Sequence, residues 1–126
     1  MTAFDEHEQV VVFLSGPYRE NGRGNTAQHV HRASLVAREV FSMSTDARLV
    51  IPLVPHTMYQ GMDDVVPLDR LLEADQRLLR GCDVVLMLEG WTCSTGAVRE
   101  HAEATRHGVP VCLTTAALRR WVREGA

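Results

Sequence analysis

Asp75 is a carboxylate at a position where helical periodicity turns it toward the protein interior. It shares an apolar helical stripe with Leu68, Leu71, Leu72, Leu78 and Leu79. A buried carboxylate is costly unless it is hydrogen-bonded or protonated, and ionisable groups in such surroundings concentrate at functional sites. The sequence therefore leaves two interpretations of this residue open, a structural loop cap and a catalytic acid.

Glu100 lies in the first half of another candidate helix, whose start is rich in small and polar residues. Ser94 or Thr95 can cap this helix, and the backbone N–H groups up to Gly96 have no acceptor within it. Such a helix start binds anions, and Ala97 leaves room beside Glu100 on the same face. The segment indicates a phosphate site next to a carboxylate, while simple capping by Ser94 uses the same residues and stays open as an alternative.

The first loop, SGPYR at residues 15–19, supplies further groups that suit a phosphorylated ligand. Arg19 provides a cation, and Tyr18 provides a flat ring for a sugar or a base. The loop lacks the glycine spacing of the common nucleotide-binding motifs, so it is a weak signal by itself. The histidines show no zinc-ligand spacing, and we predict no metal and no other cofactor.

Short apolar runs alternate with helical patterns along the chain. Strands are predicted at residues 10–14, 49–54, 83–88 and 109–113. Helices are predicted from Thr26 through Phe41, from Pro67 to about Gly81, from Ser94 or Thr95 to about His107, and at residues 118–124. This alternation predicts an α/β fold, a flavodoxin- or Rossmann-like three-layer sandwich with a parallel sheet of four to five strands. Pro52 indicates that the second strand lies at an edge of the sheet or ends early.

The predicted sheet gathers the candidate residues at one end. In open α/β sheets, ligands bind beyond the carboxyl ends of the strands, where the strand order reverses. The loops at 15–25, 55–66 and 89–96 all leave from those ends. We therefore expect the first loop and the helix start before Glu100 to lie on the ligand-binding side.

Composition and charge narrow the class of protein. The 126 residues are 45% hydrophobic and 23% charged, and we predict one domain over residues 10–126 after an N-terminal tail at 1–9. A net charge of −3 gives no basic surface for a nucleic-acid polymer, and no apolar run is long enough to span a membrane. The three cysteines lack CxxC spacing, which indicates free thiols and a cytoplasmic protein.

Leu118, Trp121 and Val122 share a helical face, which we expect to pack in a dimer interface or back across the sheet.

Three features occur in a fixed order along the chain. They are FLSGPYR from Phe13, an aspartate eight residues before that of CDVVLML, and W-x-x-S-x-G-A-x-x-E-x-x-x-A-x-x-x-G-V-P-V from Trp91. Together they resemble the nucleoside 2-deoxyribosyltransferase-like superfamily, over about Val10 to Leu113. The chain looks closer to the small nucleoside 5′-monophosphate N-glycosidases, and to related phage and bacterial proteins of unassigned function, than to the transferases.

The resemblance implies that Glu100 is a nucleophile that attacks the anomeric carbon and that Asp75 assists departure of the base. Ser94 stands where the monophosphate-hydrolysing branch binds phosphate, and His56 lies in the loop that usually faces the base. Phe13 replaces a tyrosine that assists catalysis in some family glycosidases. Substrate contacts are expected from Gly16, Pro17, Tyr18, Arg19, Asn25, His56, Ser94, Gly96 and Ala97.

The expected reaction is hydrolysis of the N-glycosidic bond of a (deoxy)nucleoside 5′-monophosphate through a glycosyl-Glu100 intermediate. Two alternatives stay open. One is a non-catalytic nucleotide-binding or sensing module, and the other is a deoxyribosyltransferase that exchanges one base for another. Proteins of the resembled family are commonly dimers, so a homodimer or a larger homo-oligomer is expected as well.

Overall fold

The structure is a computed structural model that describes residues 9–18, 26–59, 62 and 65–124 of the chain. Its strands are β1 (Gln9–Ser15), β2 (Leu49–Leu53), β3 (Val84–Met87) and β4 (Val111–Cys112). Its α-helices are α1 (Thr26–Phe41), α2 (Pro55–Tyr59), α3 (Leu68–Leu79), α4 (Thr95–Arg106) and α5 (Thr115–Arg123), and a 3₁₀ turn spans Trp91–Cys93. Over these ranges, none of the helices is long and apolar enough to cross a membrane.

Within the described residues, the sheet has four parallel strands in the order β2, β1, β3, β4. Phe13 of β1 lies opposite Leu53 of β2 and Val85 of β3, so β1 is paired along both edges. Pro52 lies in the edge strand β2, as the sequence predicts. The strand order reverses between β1 and β3, and ligands bind at this position in sheets of this kind.

Alternating side chains of β1 divide the core into two layers. Val12 belongs to a cluster that includes Ala33 of α1 and Leu118 of α5. Phe13 points to the opposite face, into a cluster that includes Leu79 of α3 and side chains of α4. The sheet lies between α1 and α5 on one face and α3 and α4 on the other, which confirms the predicted three-layer α/β fold.

The segment after β2, predicted as a loop, begins with the short helix α2. Pro55 is its first residue, and proline suits that position because its missing N–H would have no acceptor within the helix. The Thr57 hydroxyl donates to the carbonyl of Val54 at 3.0 Å and closes the turn. The helix places His56 near the carboxyl end of β1.

The strand ends also differ from the prediction. β1 includes Gln9 and Ser15, because both pair in the parallel ladder and backbone pairing does not need an apolar side chain. The predicted tail at 1–9 therefore loses its last residue to the sheet, and residues 1–8 lie outside the described residues. β4 is shorter than the predicted strand.

Helix α5 begins three residues earlier than predicted. Thr114 caps it, with Oγ1 accepting the N–H of Ala117 at 3.0 Å. Leu118 and Val122 are buried against the sheet, and Trp121 packs beside them. This apolar face of α5 was expected to pack either in a dimer interface or back across the sheet, and in the structure it packs across the sheet.

Candidate active site

A cavity of about 820 Å³ opens where the strand order reverses, beyond the carboxyl ends of β1 and β3. Its walls come from the first loop, α2, one face of α3 and the first half of α4. The predicted site residues in these walls are Gly16, Tyr18, His56, Asp75, Ser94, Gly96, Ala97 and Glu100. Pro17 is buried between two lining residues, while Arg19 and Asn25 lie outside the described residues. The fold therefore brings the two candidate carboxyls to one cavity.

Asp75 reaches the cavity from α3. It lies on the buried face of this helix with Leu71 and Leu79, which confirms that this part of the stripe turns inward. The prediction that the whole stripe is buried is wrong for its outer part, because Leu68 and Leu78 are 46% and 37% exposed. A helix packed against a sheet buries only part of its circumference, and these two leucines lie beyond that part.

Glu100 reaches the same cavity from α4. Ala97 and Ala104 lie about one turn before and after it, and both are buried against the sheet. Because these neighbours are small, α4 can lie close to the sheet. The longer Glu100 side chain then comes within hydrogen-bond reach of β1.

The carboxyls of Asp75 and Glu100 lie close enough to interact through charge and hydrogen bonding. Asp75 is 9% exposed and Glu100 is 6% exposed, so neither is well hydrated. Burial raises the pKa of Glu100 well above its usual range, and the charge and hydrogen bond of Asp75 raise it further. Two buried carboxyls this close disfavour carrying two negative charges at once, so the pair favours keeping one proton. The arrangement offers an acid and a nucleophile side by side.

Ser15 is the third member of this cluster, and sequence reasoning missed it. Its hydroxyl donates to Oε1 of Glu100 at 2.5 Å, and its side chain is fully buried. This hydrogen bond lowers the pKa of Glu100, against the larger effects of burial and of Asp75. A signal was present in the sequence, because strand alternation places Ser15 on the same sheet face as Phe13, toward α3 and α4.

The start of α4 lies in the cavity wall and is capped by Ser94. The Oγ of this residue accepts the N–H of Ala97 at 3.2 Å, so the capping alternative describes the structure as it stands. Thr95 and Gly96 carry other first-turn N–H groups, which a helix cannot satisfy internally. Gly96 lies close to α3, where an added Cβ would be 3.1 Å from Cδ2 of Leu72. An anion here would meet backbone N–H groups and the positive end of the helix dipole.

His56 holds the first loop in place. Its Nε2 is 2.8 Å from the carbonyl oxygen of Pro17, and since a carbonyl only accepts, Nε2 carries the hydrogen. Burial lowers the pKa of His56, and the Pro17 carbonyl partly opposes this effect. The ring of Tyr18 packs edge-on against the imidazole, with 5.4 Å between the centroids. Gly16 is required in this turn, because an added Cβ would lie 2.6 Å from the Cβ of Leu88.

An aromatic stack braces the segment between β3 and α4. Trp91, in the 3₁₀ turn, stacks on His101 of α4 with 4.8 Å between the ring centroids and 5° between the planes. Gly90 precedes the turn with a φ of 86°, a conformation that favours glycine. The stack ties the loop to the part of α4 that carries Glu100.

Most of the chain matches one known protein family. Residues 10–114 match a family described as a domain of unknown function (DUF7768). The chain belongs to this family. No curated protein and no solved structure matches the chain. The range that matches DUF7768 includes all the described residues that line the cavity.

The DUF7768 cavity contains more acidic groups than the sequence analysis singled out. Asp69 lines the walls together with Asp75 and Glu100. Among the described lining residues, Arg99 is the one with a permanent positive charge. A phosphate in this cavity would therefore depend on Arg99 and on the start of α4 for favourable charge, besides any group in the first loop.

Three leucines of α3 also line the DUF7768 cavity, and sequence reasoning missed that role. Leu68, Leu71 and Leu72 form one apolar wall. They were assigned to the core because a leucine stripe at helical spacing is the usual pattern of a buried helix face. The stripe was wider than one packed helix face needs, and this extra width could have indicated that some of the leucines line a cavity. An apolar wall of this kind suits the flat face of a nucleobase.

Proposed function

We propose that this DUF7768 domain hydrolyses the N-glycosidic bond of a (deoxy)nucleoside 5′-monophosphate. The observation that carries the proposal is the buried pair of Asp75 and Glu100 in the wall of the cavity at the strand-order reversal. Such a pair offers one ionised and one protonated carboxyl, the two groups that cleavage through a covalent intermediate needs. The resemblance to the nucleoside 2-deoxyribosyltransferase-like superfamily supports the same assignment.

The first step of the proposed reaction uses both carboxyls. An ionised oxygen of Glu100 attacks the anomeric carbon while the bond between that carbon and the base nitrogen breaks. The electron pair of the broken bond goes to the base, and Asp75 gives the base a proton. The products are the free base, a glycosyl ester on Glu100 and an ionised Asp75.

The second step restores the pair. The Asp75 carboxylate takes a proton from water, and the water oxygen attacks the anomeric carbon and displaces Glu100. The sugar 5-phosphate leaves, with Glu100 ionised and Asp75 protonated again. The two carboxyls have to separate for each turnover, because the reacting sugar must reach both of them.

The start of α4 is the proposed phosphate site. Thr95 and Gly96 supply first-turn N–H groups, Ser94 a hydroxyl, and Arg99 a cation in the same walls. The leucine wall of α3 is the proposed contact for the base. This arrangement supports a phosphorylated ligand over a plain nucleoside.

The test is base release from a panel of nucleoside 5′-monophosphates, both ribose and deoxyribose, followed by chromatography. Matched nucleosides without the phosphate serve as control substrates, and we expect them to react much more slowly. Failure of the folded protein to release a base from any monophosphate would refute the hydrolase. A nucleotide that binds and survives would favour the binding module, and a new nucleotide formed with an added second base would favour the transferase.

We also propose a homodimer or larger homo-oligomer in the cytoplasm. The free thiols of Cys82, Cys93 and Cys112 support a reducing compartment. Val65, shortly before α3, is 75% exposed, which supports an apolar contact there rather than at α5. Light scattering at micromolar concentration checks the oligomer, and a monomeric mass would contradict it.

A further inference from the structure

Ser15 ends β1 next to the carboxyl pair, and its backbone is fixed by the sheet. It pairs with Met87 in the parallel ladder, and its carbonyl accepts the N–H of Leu88 at 2.7 Å. Its side chain is fully buried, and its hydroxyl donates to Oε1 of Glu100 at 2.5 Å. A rigid strand therefore holds a hydrogen-bond donor against one member of the pair.

This donor makes the two carboxyls chemically different. Asp75 and Glu100 are both buried and interact, so ionisation of one disfavours ionisation of the other. A donated hydrogen bond favours the ionised form of the group that accepts it. The Ser15 hydroxyl therefore favours the negative charge on Glu100 and the proton on Asp75. Phe13, two residues earlier on the same strand face, has no hydroxyl with which to do this.

We propose that Ser15 is a positioning residue that orients Glu100 and favours its ionised form, as the nucleophile of the pair. The inference rests on the proposed function, since it assigns which carboxyl attacks the sugar. Ser15 acts on the reaction through Glu100, because its hydroxyl contacts Oε1 of that carboxyl. Its loss leaves both carboxyls in place but removes the donor that favours the ionised form of Glu100.

The titration of Glu100 depends on groups from every element around it. Asp75 faces it from α3 and Ser15 from β1. The other titratable or charged side chains in the described cavity walls are Tyr18, His56, Asp69, Cys93 and Arg99. Burial and Asp75 raise the pKa of Glu100 and Ser15 lowers it, so loss of the hydroxyl raises this pKa further. Because Glu100 attacks only when ionised, the acidic limb of the rate profile then moves to higher pH.

The experiment compares Ser15→Ala and Ser15→Cys with the wild-type chain. Cysteine keeps a side chain of similar size at this buried position but is a weak donor, which separates the lost hydrogen bond from lost packing. Ser34→Ala is the matched control, because the Ser34 hydroxyl donates to the carbonyl of Val30 at 2.9 Å within α1. The readouts are base release as a function of pH and, without substrate, a ¹³C NMR titration of the Glu100 carboxyl, assigned with Glu100→Gln.

We expect kcat of both Ser15 variants to fall about 10- to 100-fold, the usual size for a hydrogen bond to a charged group, while KM changes little. We also expect the Glu100 titration and the acidic limb to move to higher pH in both variants, and Ser34→Ala to match the wild type. Recovery of the rate in Ser15→Cys would overturn the proposal, because side-chain size would then explain the loss.

The titration separates a failure of this inference from a failure of the proposed function. An unchanged Glu100 titration in Ser15→Ala overturns the role of Ser15, whatever the enzyme does. A wild-type chain that releases no base refutes the proposed function. In that case a shifted titration still supports the effect of Ser15 on the charge of Glu100.

Discussion

Glu100 and Glu103 lie three residues apart on α4 and are equally buried, at 6% exposure each, but their partners are opposite. Two arginines and a histidine surround Glu103. Its Oε1 is 2.9 Å from Nε2 of His107 and 3.6 Å from Nε of Arg80, and its Oε2 is 3.5 Å from Nη1 of Arg106. This cluster ties the end of α3 to the last turn of α4, where positive charge also suits the helix dipole.

Glu100 has no such compensation among its described partners. It faces the carboxyl of Asp75 and a neutral hydroxyl from Ser15. Burial of an acid is therefore not informative by itself, because the sign of the neighbouring charges decides what the acid does. An acid held by cations stabilises the fold, whereas an acid held against another acid costs stability and is typical of a reactive site.

Glu100→Gln should give the largest effect. The amide keeps the shape of the side chain but cannot attack a carbon, so base release should fall by several orders of magnitude while nucleotide binding survives. Single-turnover kinetics and calorimetry measure the two quantities separately. Near-normal base release by this variant would contradict the assigned nucleophile and with it the contrast to Glu103.

Asp75→Asn should lower base release by about 10²- to 10⁴-fold, the usual range for loss of a general acid. The loss should be greatest for poor leaving bases, because those depend most on the proton from Asp75. Rates for two substrates with bases of different leaving ability check this point. If circular dichroism showed the variant to be unfolded, the structural interpretation of Asp75 would be favoured instead.

Glu103→Gln should change stability and leave catalysis intact. We expect a loss of about 1 kcal/mol in the free energy of unfolding, since the side chains of Arg80 and Arg106 are 40% and 71% exposed and solvent screens them. Urea unfolding measures this loss, and base release by the same sample is the control. A fall in kcat comparable to that of Glu100→Gln would remove the distinction between the two glutamates.

The smallest expected effect is a dependence of stability on pH. The pKa of Glu100 lies well above its ordinary value of 4.5 in the folded state, so its contribution to stability is present below that value and is lost as pH rises through the folded pKa. Glu100→Gln carries no such proton, so it should gain in stability relative to the wild type as pH rises. Melting temperatures across a pH series should show this as a few degrees, and a difference independent of pH would contradict it.

The sequence predicted the parts of the site that depend on local pattern. Helical spacing placed Asp75 on a buried face, and the small and polar residues before Glu100 indicated a helix start. The Ser15 contact was missed because it joins residues 85 positions apart and depends on how α4 packs on β1. The contact of Arg80 with Glu103 was missed for a similar reason, since Arg80 lies just beyond the end of α3.

The fold was predicted about as completely as the site, and the errors in that prediction have related causes. Alternating apolar runs and helical patterns are local, so the parallel sheet and its three layers followed from them. Pro55 was assigned to a loop because proline both begins helices and interrupts them, and the choice depends on the chain around it. The position of α5 on the sheet, rather than in an interface, depended on which core had room for Leu118.

The stack of Trp91 on His101 gives the domain an internal optical reporter. The chain has two tryptophans, and they lie on opposite faces of the sheet, Trp91 in the layer of α3 and α4 and Trp121 in the layer of α1 and α5. A chain carrying Trp121→Phe would emit from Trp91 alone, an indole in ring contact with the residue that follows Glu100. Its fluorescence then reports on the packing of the loop between β3 and α4 against the helix that carries Glu100, with no attached dye.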